Sequence, residues 1–120
     1  MGIEITQKDA LSIIVCLDPD ADERMADQIR FGAEEEGMPV FSLKRRGGSL
    51  ELSHFAAESS QLRIGIGVDK NAVITLNQVQ MPKETYVIQA YCSNNIKTAR
   101  IFGTNAARLF KGVPFANWEL

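Results

Sequence analysis

Two β-rich runs, Ile64 to Val68 (IGIGV) and Ala72 to Leu76 (AVITL), are separated only by Asp69-Lys70-Asn71. A parallel crossover needs a dozen or more residues, so this pair must be an antiparallel hairpin. The joint breaks any strict alternation of strand and helix and constrains the rest of the chain. Upstream, Ser12 to Leu17 (SIIVCL) is a short apolar run bounded by Asp18-Pro19-Asp20, which predicts a strand buried on both faces. Asp20 is the predicted cap of the following helix, with Glu23 three residues later as in a capping box. Met25, Ile29, Gly32 and Ala33 recur on one face of that helix, and Gly37 and Pro39 stop it. Val40 to Lys44 predicts a second strand. Arg45 to Ser49 is a basic, glycine-rich connection, and Leu50 to Gln61 is a shorter helix.

Beyond the hairpin, Asn77 to Glu84 is a loop with Pro82, and Thr85 to Tyr91 is a fifth strand. Ser93 is the predicted cap of a last helix that runs to Lys111 and ends at Gly112, with Pro114 beyond. Gly103 inside that helix costs about 1 kcal/mol relative to alanine, so it marks a break or a close packing contact. Gly65 and Gly67 lie within a strand rather than a strand-to-helix turn, which predicts a helix lying close on the sheet and no nucleotide fingerprint. The order β-α-β-α-β-β-β-α is that of an α/β sandwich with a mixed sheet.

At 120 residues the chain is expected to form one domain, 1–120, with residues 1–11 as a flexible N-terminus. No stretch reaches the eighteen or more apolar residues of a membrane span, and Met1 to Leu11 lacks a signal-peptide design. A cytoplasmic location is therefore the expectation. Two cysteines and one histidine leave little for thiol, metal or general-base chemistry, so an enzyme acting alone is disfavoured. Cys16 and Cys92 fall in or beside predicted strands and read as buried free thiols. His54 has no second histidine or cysteine beside it to form a metal site.

The net charge of −2 hides a strong asymmetry. From Asp18 to Glu36 eight acids face only Arg24 and Arg30, a balance of −6, and the remainder carries +4. From Ser93 to Gly112 there are four bases, Lys97, Arg100, Arg108 and Lys111, and no acid. Asp18-Pro19-Asp20-Ala21-Asp22 fails as a calcium loop, because Glu23 falls where glycine is needed and Ile29 where the closing acid should be. A receiver-like phosphoacceptor using Asp18 and Asp69 suits the length, but the hairpin breaks the alternation such a fold requires. The competing reading makes Asp18 a turn former and Asp20 a cap. An RNA-binding module has only the basic last helix in its favour.

Glu34-Glu35-Glu36 is the most informative local oddity. These acids fall in the last turn of the first helix, where the macrodipole disfavours each by about 0.3–1 kcal/mol. A divalent cation or a basic partner surface would offset their repulsion, and exposed acids kept for solubility are the alternative. Successive residues are about 100° apart on a helix, so only one or two can face one ligand.

Three segments carry a family resemblance: Gly32 to Pro39 (GAEEEGMP), Ile64 to Lys70 (IGIGVDK) and Gly103 to Phe115 (GTNAARLFKGVPF). Their content, order and spacing resemble the small subunit of the reactivating factor of adenosylcobalamin-dependent diol and glycerol dehydratases, over roughly Ser12 to Phe115. The resemblance implies a three-layer α/β/α domain, anticodon-binding-like, with a five-stranded mixed sheet whose fourth strand is antiparallel. It implies a non-catalytic subunit of a chaperone-like, ATP-dependent factor that frees damaged cobalamin from the inactivated dehydratase by subunit exchange. The implied partner is the large subunit, which carries the ATPase, and through it the dehydratase. No nucleic acid, membrane or cofactor held by this chain alone is implied. Glu35, the middle acid, is implied to hold Mg2+ or another divalent cation shared with the large subunit, with Glu34, Glu35 and Glu36 at the interface. Dehydratase medium subunits share the fold but usually begin with a substantial extension. About eleven residues precede the first strand here, so the reactivase reading is preferred to a component of the dehydratase itself. The implied location is cytoplasmic, with a bacterial microcompartment as the alternative.

Overall fold

The computed structural model describes residues 11–92 and 95–116. The elements are β1 (Ile13–Leu17), α1 (Glu23–Glu35), β2 (Val40–Lys44), α2 (Ser49–Ser59), β3 (Ile64–Val68), β4 (Val73–Gln78), β5 (Ile88–Tyr91) and α3 (Lys97–Lys111). They form one five-stranded sheet in the order β2-β1-β3-β4-β5. β1 pairs parallel with β2 and β3, while β4 pairs antiparallel with β3 and β5. Four strands therefore share a direction and the fourth opposes them, as expected. The short joint closes because Asp69 Oδ1 accepts from the backbone N–H of Asn71 at 2.8 Å and of Val73 at 3.1 Å.

All five residues of β1 are buried, the signature of a strand covered on both faces. Ile13, Val15 and Leu17 join Met25, Ile29 and Ala33 of α1 and Phe102 and Ala106 of α3 in the larger core. Ile14 and Cys16 point the other way, against Leu52 and Ala56 of α2. Two helices on one face and one on the other make three layers. Gly65 and Gly67 let α2 lie on β3: a Cβ on either would stand 2.2 Å from a backbone atom of α2, Ala57 N or Ser49 O. Beside them, Ser49 Oγ and Thr75 Oγ1 share a hydrogen bond of 2.8 Å, and Asn77 Nδ2 donates to Ser53 Oγ at 2.8 Å. These bonds satisfy buried polar groups where the helix covers β4, although Asn77 Oδ1 is buried with no partner among the described residues.

Gly103 marks a contact, not a break, because α3 runs through it without interruption. A Cβ at Gly103 would stand 1.9 Å from Ile29 O, and one at Gly32 would stand 1.9 Å from Arg100 O. α1 and α3 thus cross backbone to backbone, which only glycine at both positions permits.

Several boundaries differ from expectation: α2 spans Ser49–Ser59 rather than Leu50 to Gln61, and β4 runs on through Asn77 and Gln78, expected in the loop, because both pair with β3. Asp22, not Asp20, caps α1: its Oδ1 accepts from Arg24 N at 2.9 Å. The reason is the turn before it, where Asp18 Oδ1 accepts from Asp20 N at 2.9 Å and buries Ala21 before the helix starts. The Asp20–Glu23 capping box does not form. β5 begins at Ile88 rather than Thr85, because Thr85 closes a turn onto Pro82 O through both its N–H and its hydroxyl. α3 begins at Lys97, whose N–H is accepted by Asn95 Oδ1 at 3.1 Å. The expected cap Ser93 lies outside the described residues, as does the N-terminal stretch 1–11 apart from Leu11.

Candidate functional site

The crossing at Gly32 and Gly103 sets the C-terminal end of α1 against α3, and it governs where the three glutamates go. Glu34 and Glu35 close the helix, and Glu36 is its C-cap residue. Gly37 follows at φ +86°, the left-handed conformation that lets the chain turn away. Each acid has a partner in this chain. Glu36, 21% exposed, accepts from Arg108 Nη2 at 3.1 Å and from Lys111 Nζ at 2.9 Å, and Lys111 also reaches the Glu36 carbonyl at 2.9 Å. Lys111 and Arg108 hold the Glu36 carboxyl below the ordinary glutamate range. Glu35, 58% exposed, pairs with Arg100. Glu34 stands 3.5 Å from Arg30 one turn back.

The sequence pattern pointed to acids without compensation. The compensation exists: for Glu35 and Glu36 it comes from α3, and for Glu34 from Arg30 within α1. Arg100, Arg108 and Lys111 stand at intervals of eight and three, so they form one stripe along α3 facing the end of α1. That stripe was the signal by which these residues could have been found beforehand. It also takes away the one feature that favoured RNA, since three of the four bases between Ser93 and Gly112 face acids. The other end of α1 is matched likewise: Lys44 pairs with Glu23, and Arg46 meets Asp20 at 3.0 Å and Asp18 at 3.6 Å. The asymmetry of −6 against +4 is in large part complementarity within one chain.

As the helical spacing required, the three acids do not face one point. Glu34 and Glu35 line a single open hollow with Phe31 and Arg100, while Glu36 turns to Arg108 and Lys111. Phe31 is 37% exposed and carries two guanidinium groups, Arg30 at 4.7 Å and Arg100 at 5.8 Å from its ring centroid. Sequence reasoning missed Phe31, although it lies one helical turn before Glu35 and so on the same face.

The other candidates have structural work. Asp18 and Asp69 do line one hollow at the carboxyl ends of β1 and β3, with Arg46, Gly47 and Lys70. Their oxygens, however, accept backbone N–H groups: those of Asp20 and Gly47 for Asp18, and of Asn71 and Val73 for Asp69. Asp18 is accordingly held below the ordinary carboxylate range, chiefly by the N–H groups of Asp20 and Gly47. Cys16 and Cys92 are buried free thiols in cores on opposite faces of the sheet, and burial pushes both up to about 11. His54 Nε2 lies 3.1 Å from the Thr85 carbonyl. Among the described residues no group of three His, Cys, Asp or Glu is placed to hold a metal ion. The hollow at Glu35 offers the hard carboxylate oxygens of Glu34 and Glu35, the donor type that Mg2+ takes, and too few of them for a complete site among the described residues.

The class to which this architecture belongs is defined by a family model, that of the dehydratase medium subunits, which matches residues 12–116. A probable glycerol dehydratase-reactivating factor small subunit of Citrobacter freundii is 30% identical over 95 residues, covering 78% of this chain and 81% of that one. The propanediol dehydratase-reactivating factor small subunit of Salmonella typhimurium is 32% identical over 89 residues, covering 73% and 76%. Two solved structures superpose at 28% identity. A glycerol dehydratase reactivase chain has a TM-score of 0.82 and covers 88% of this chain and 96% of its own. A diol dehydratase-reactivating factor complexed with ADP and Mg2+ has a TM-score of 0.80 and covers 90% and 99%. The chain belongs to the dehydratase medium-subunit family, among the small subunits of diol and glycerol dehydratase-reactivating factors.

Proposed function

We propose that this chain is the exchangeable, non-catalytic subunit of an ATP-dependent factor that releases damaged cobalamin from an adenosylcobalamin-dependent diol or glycerol dehydratase. It docks on an ATPase large subunit through the C-terminal end of α1. Glu35 supplies one carboxylate to a divalent cation whose remaining ligands the large subunit provides, and Glu34 and Glu36 flank the contact. The observation that carries this reading is Glu35 itself: an exposed carboxylate at a helix end, beside Glu34, in a hollow with room for a partner. The ADP and Mg2+ in the related diol dehydratase-reactivating factor support nucleotide and metal chemistry in the assembled factor. The match to the dehydratase medium-subunit model supports exchange, since a chain of the same family would have the shape to take that subunit's place.

When bound, the cation would supply charge that joins carboxylates of two chains. The rest falls to this chain's own residues. Lys111 and Arg108 fix Glu36 and hold the helix end against α3, and the glycine crossing sets the position of Glu35. No described helix is long and apolar enough to cross a membrane. The location that accompanies this reading is the cytoplasm or a bacterial microcompartment.

The test is reconstitution. Dehydratase inactivated by damaged cobalamin, mixed with the large subunit, ATP, Mg2+ and free coenzyme, should recover only when this chain is added. Recovery without the chain would refute the reading. The second reading, a component of the dehydratase itself, is favoured by the family model's own description. It predicts that this chain completes an active dehydratase from large and small dehydratase subunits without ATP.

A further inference from the structure

Glu35 as a metal ligand, the reading on which this inference rests, already holds a cation. The Arg100 guanidinium is on its carboxylate. A dication and a guanidinium on the same carboxylate repel each other strongly at contact distance. The two therefore compete, and each weakens the hold of the other on Glu35. The geometry points to Arg100 as an exchangeable resident cation, which neutralises Glu35 in the free subunit and yields it when the metal and large subunit dock.

Three observations make the exchange inexpensive. The pair is 39% and 58% exposed, so solvent screens it and little is lost when it opens. Arg100 keeps a second contact when the pair opens, since its guanidinium stands 5.8 Å from the centroid of the Phe31 ring, which also carries Arg30 at 4.7 Å. Glu34, the neighbouring acid of the hollow, is held by Arg30 and so offers Arg100 no competing carboxylate. The same arrangement keeps the free subunit from presenting bare acids to stray cations. Arg100 thereby sets how much metal docking requires.

The experiment measures the Mg2+ concentration for half-maximal assembly of the full chain with the large subunit, for wild type, Arg100→Ala and Arg100→Lys. Loss of a screened competitor should lower the midpoint for Arg100→Ala by about two- to five-fold. Arg100→Lys, which keeps the charge, should stay near wild type. An unmoved midpoint for Arg100→Ala overturns the exchange and leaves the pair a structural one. Weaker assembly of Arg100→Ala at saturating Mg2+ also overturns it, because Arg100 would then be a docking residue. Assembly that ignores both Mg2+ and Glu35→Ala refutes the metal reading itself. Assembly that needs Mg2+ and Glu35 while Arg100→Ala is silent refutes the exchange alone.

Discussion

Gly103→Ala tests whether the backbone contact between α1 and α3 is what positions the site. In an exposed helix interior, replacing glycine by alanine should stabilise by about 0.8–1.0 kcal/mol through propensity alone. At Gly103 the new Cβ would stand 1.9 Å from Ile29 O, 2.7 Å from Ile29 C and 3.0 Å from Ala33 N. All three are backbone atoms of a buried helix face, so no rotamer change relieves the clash. The helices must separate, at an overpacking cost of about 1–3 kcal/mol, and the shortness of these distances puts the cost at the upper end. Net destabilisation of about 1–2 kcal/mol remains after the propensity gain is subtracted. Urea unfolding followed by circular dichroism reads this directly, as a lower midpoint at unchanged slope. Gly32→Ala should behave alike, and the double variant should lose less than the sum, because either substitution opens the same crossing. A Gly103→Ala protein as stable as wild type, or more so, would refute the argument.

Protonation of Glu36 should destabilise the fold. Its carboxyl is depressed in the folded state by Lys111 and Arg108, so its contribution is present above the unfolded value of about 4.3 and lost as pH falls through the folded value. Wild type should therefore lose stability on acidification more steeply than Glu36→Gln, and equal slopes would contradict the Lys111–Glu36–Arg108 contact. Cys16 and Cys92, with thiols pushed up to about 11 by burial, should resist a thiol reagent at pH 8 and both react once urea unfolds the chain. Rapid labelling of native protein would show that one of the two cores is open. Gly67→Ala, with its Cβ 2.2 Å from Ser49 O, should destabilise by about 1–3 kcal/mol through the α2 face, independently of metal-dependent assembly.

How much could be read in advance depends on the range of the forces involved. β1 and β2 were legible because short apolar runs bounded by turn residues are local signals, and α1 ended as Gly37 required. The hairpin was legible because three residues admit one geometry. The cap of α1 was not, since Asp20 and Asp22 are equally suited and only the burial of Ala21 decides between them. The acid cluster was visible as a violation of the helix dipole, yet its partners were not. Arg100, Arg108 and Lys111 reach it only because Gly32 and Gly103, distant in sequence, bring two helices together. A run of charges shows that compensation is needed, while the tertiary crossing determines where it comes from.

The central claim is that Glu35 joins this chain to its large subunit through a shared divalent cation. The most direct measurement is copurification with the large subunit, with metal content determined in the isolated complex, for wild type, Glu35→Ala and Glu35→Lys. The account predicts that Glu35→Ala weakens assembly and lowers bound metal, and that Glu35→Lys, which sets a cation beside Arg100, abolishes both. Undiminished complex and metal content in the two variants would contradict it.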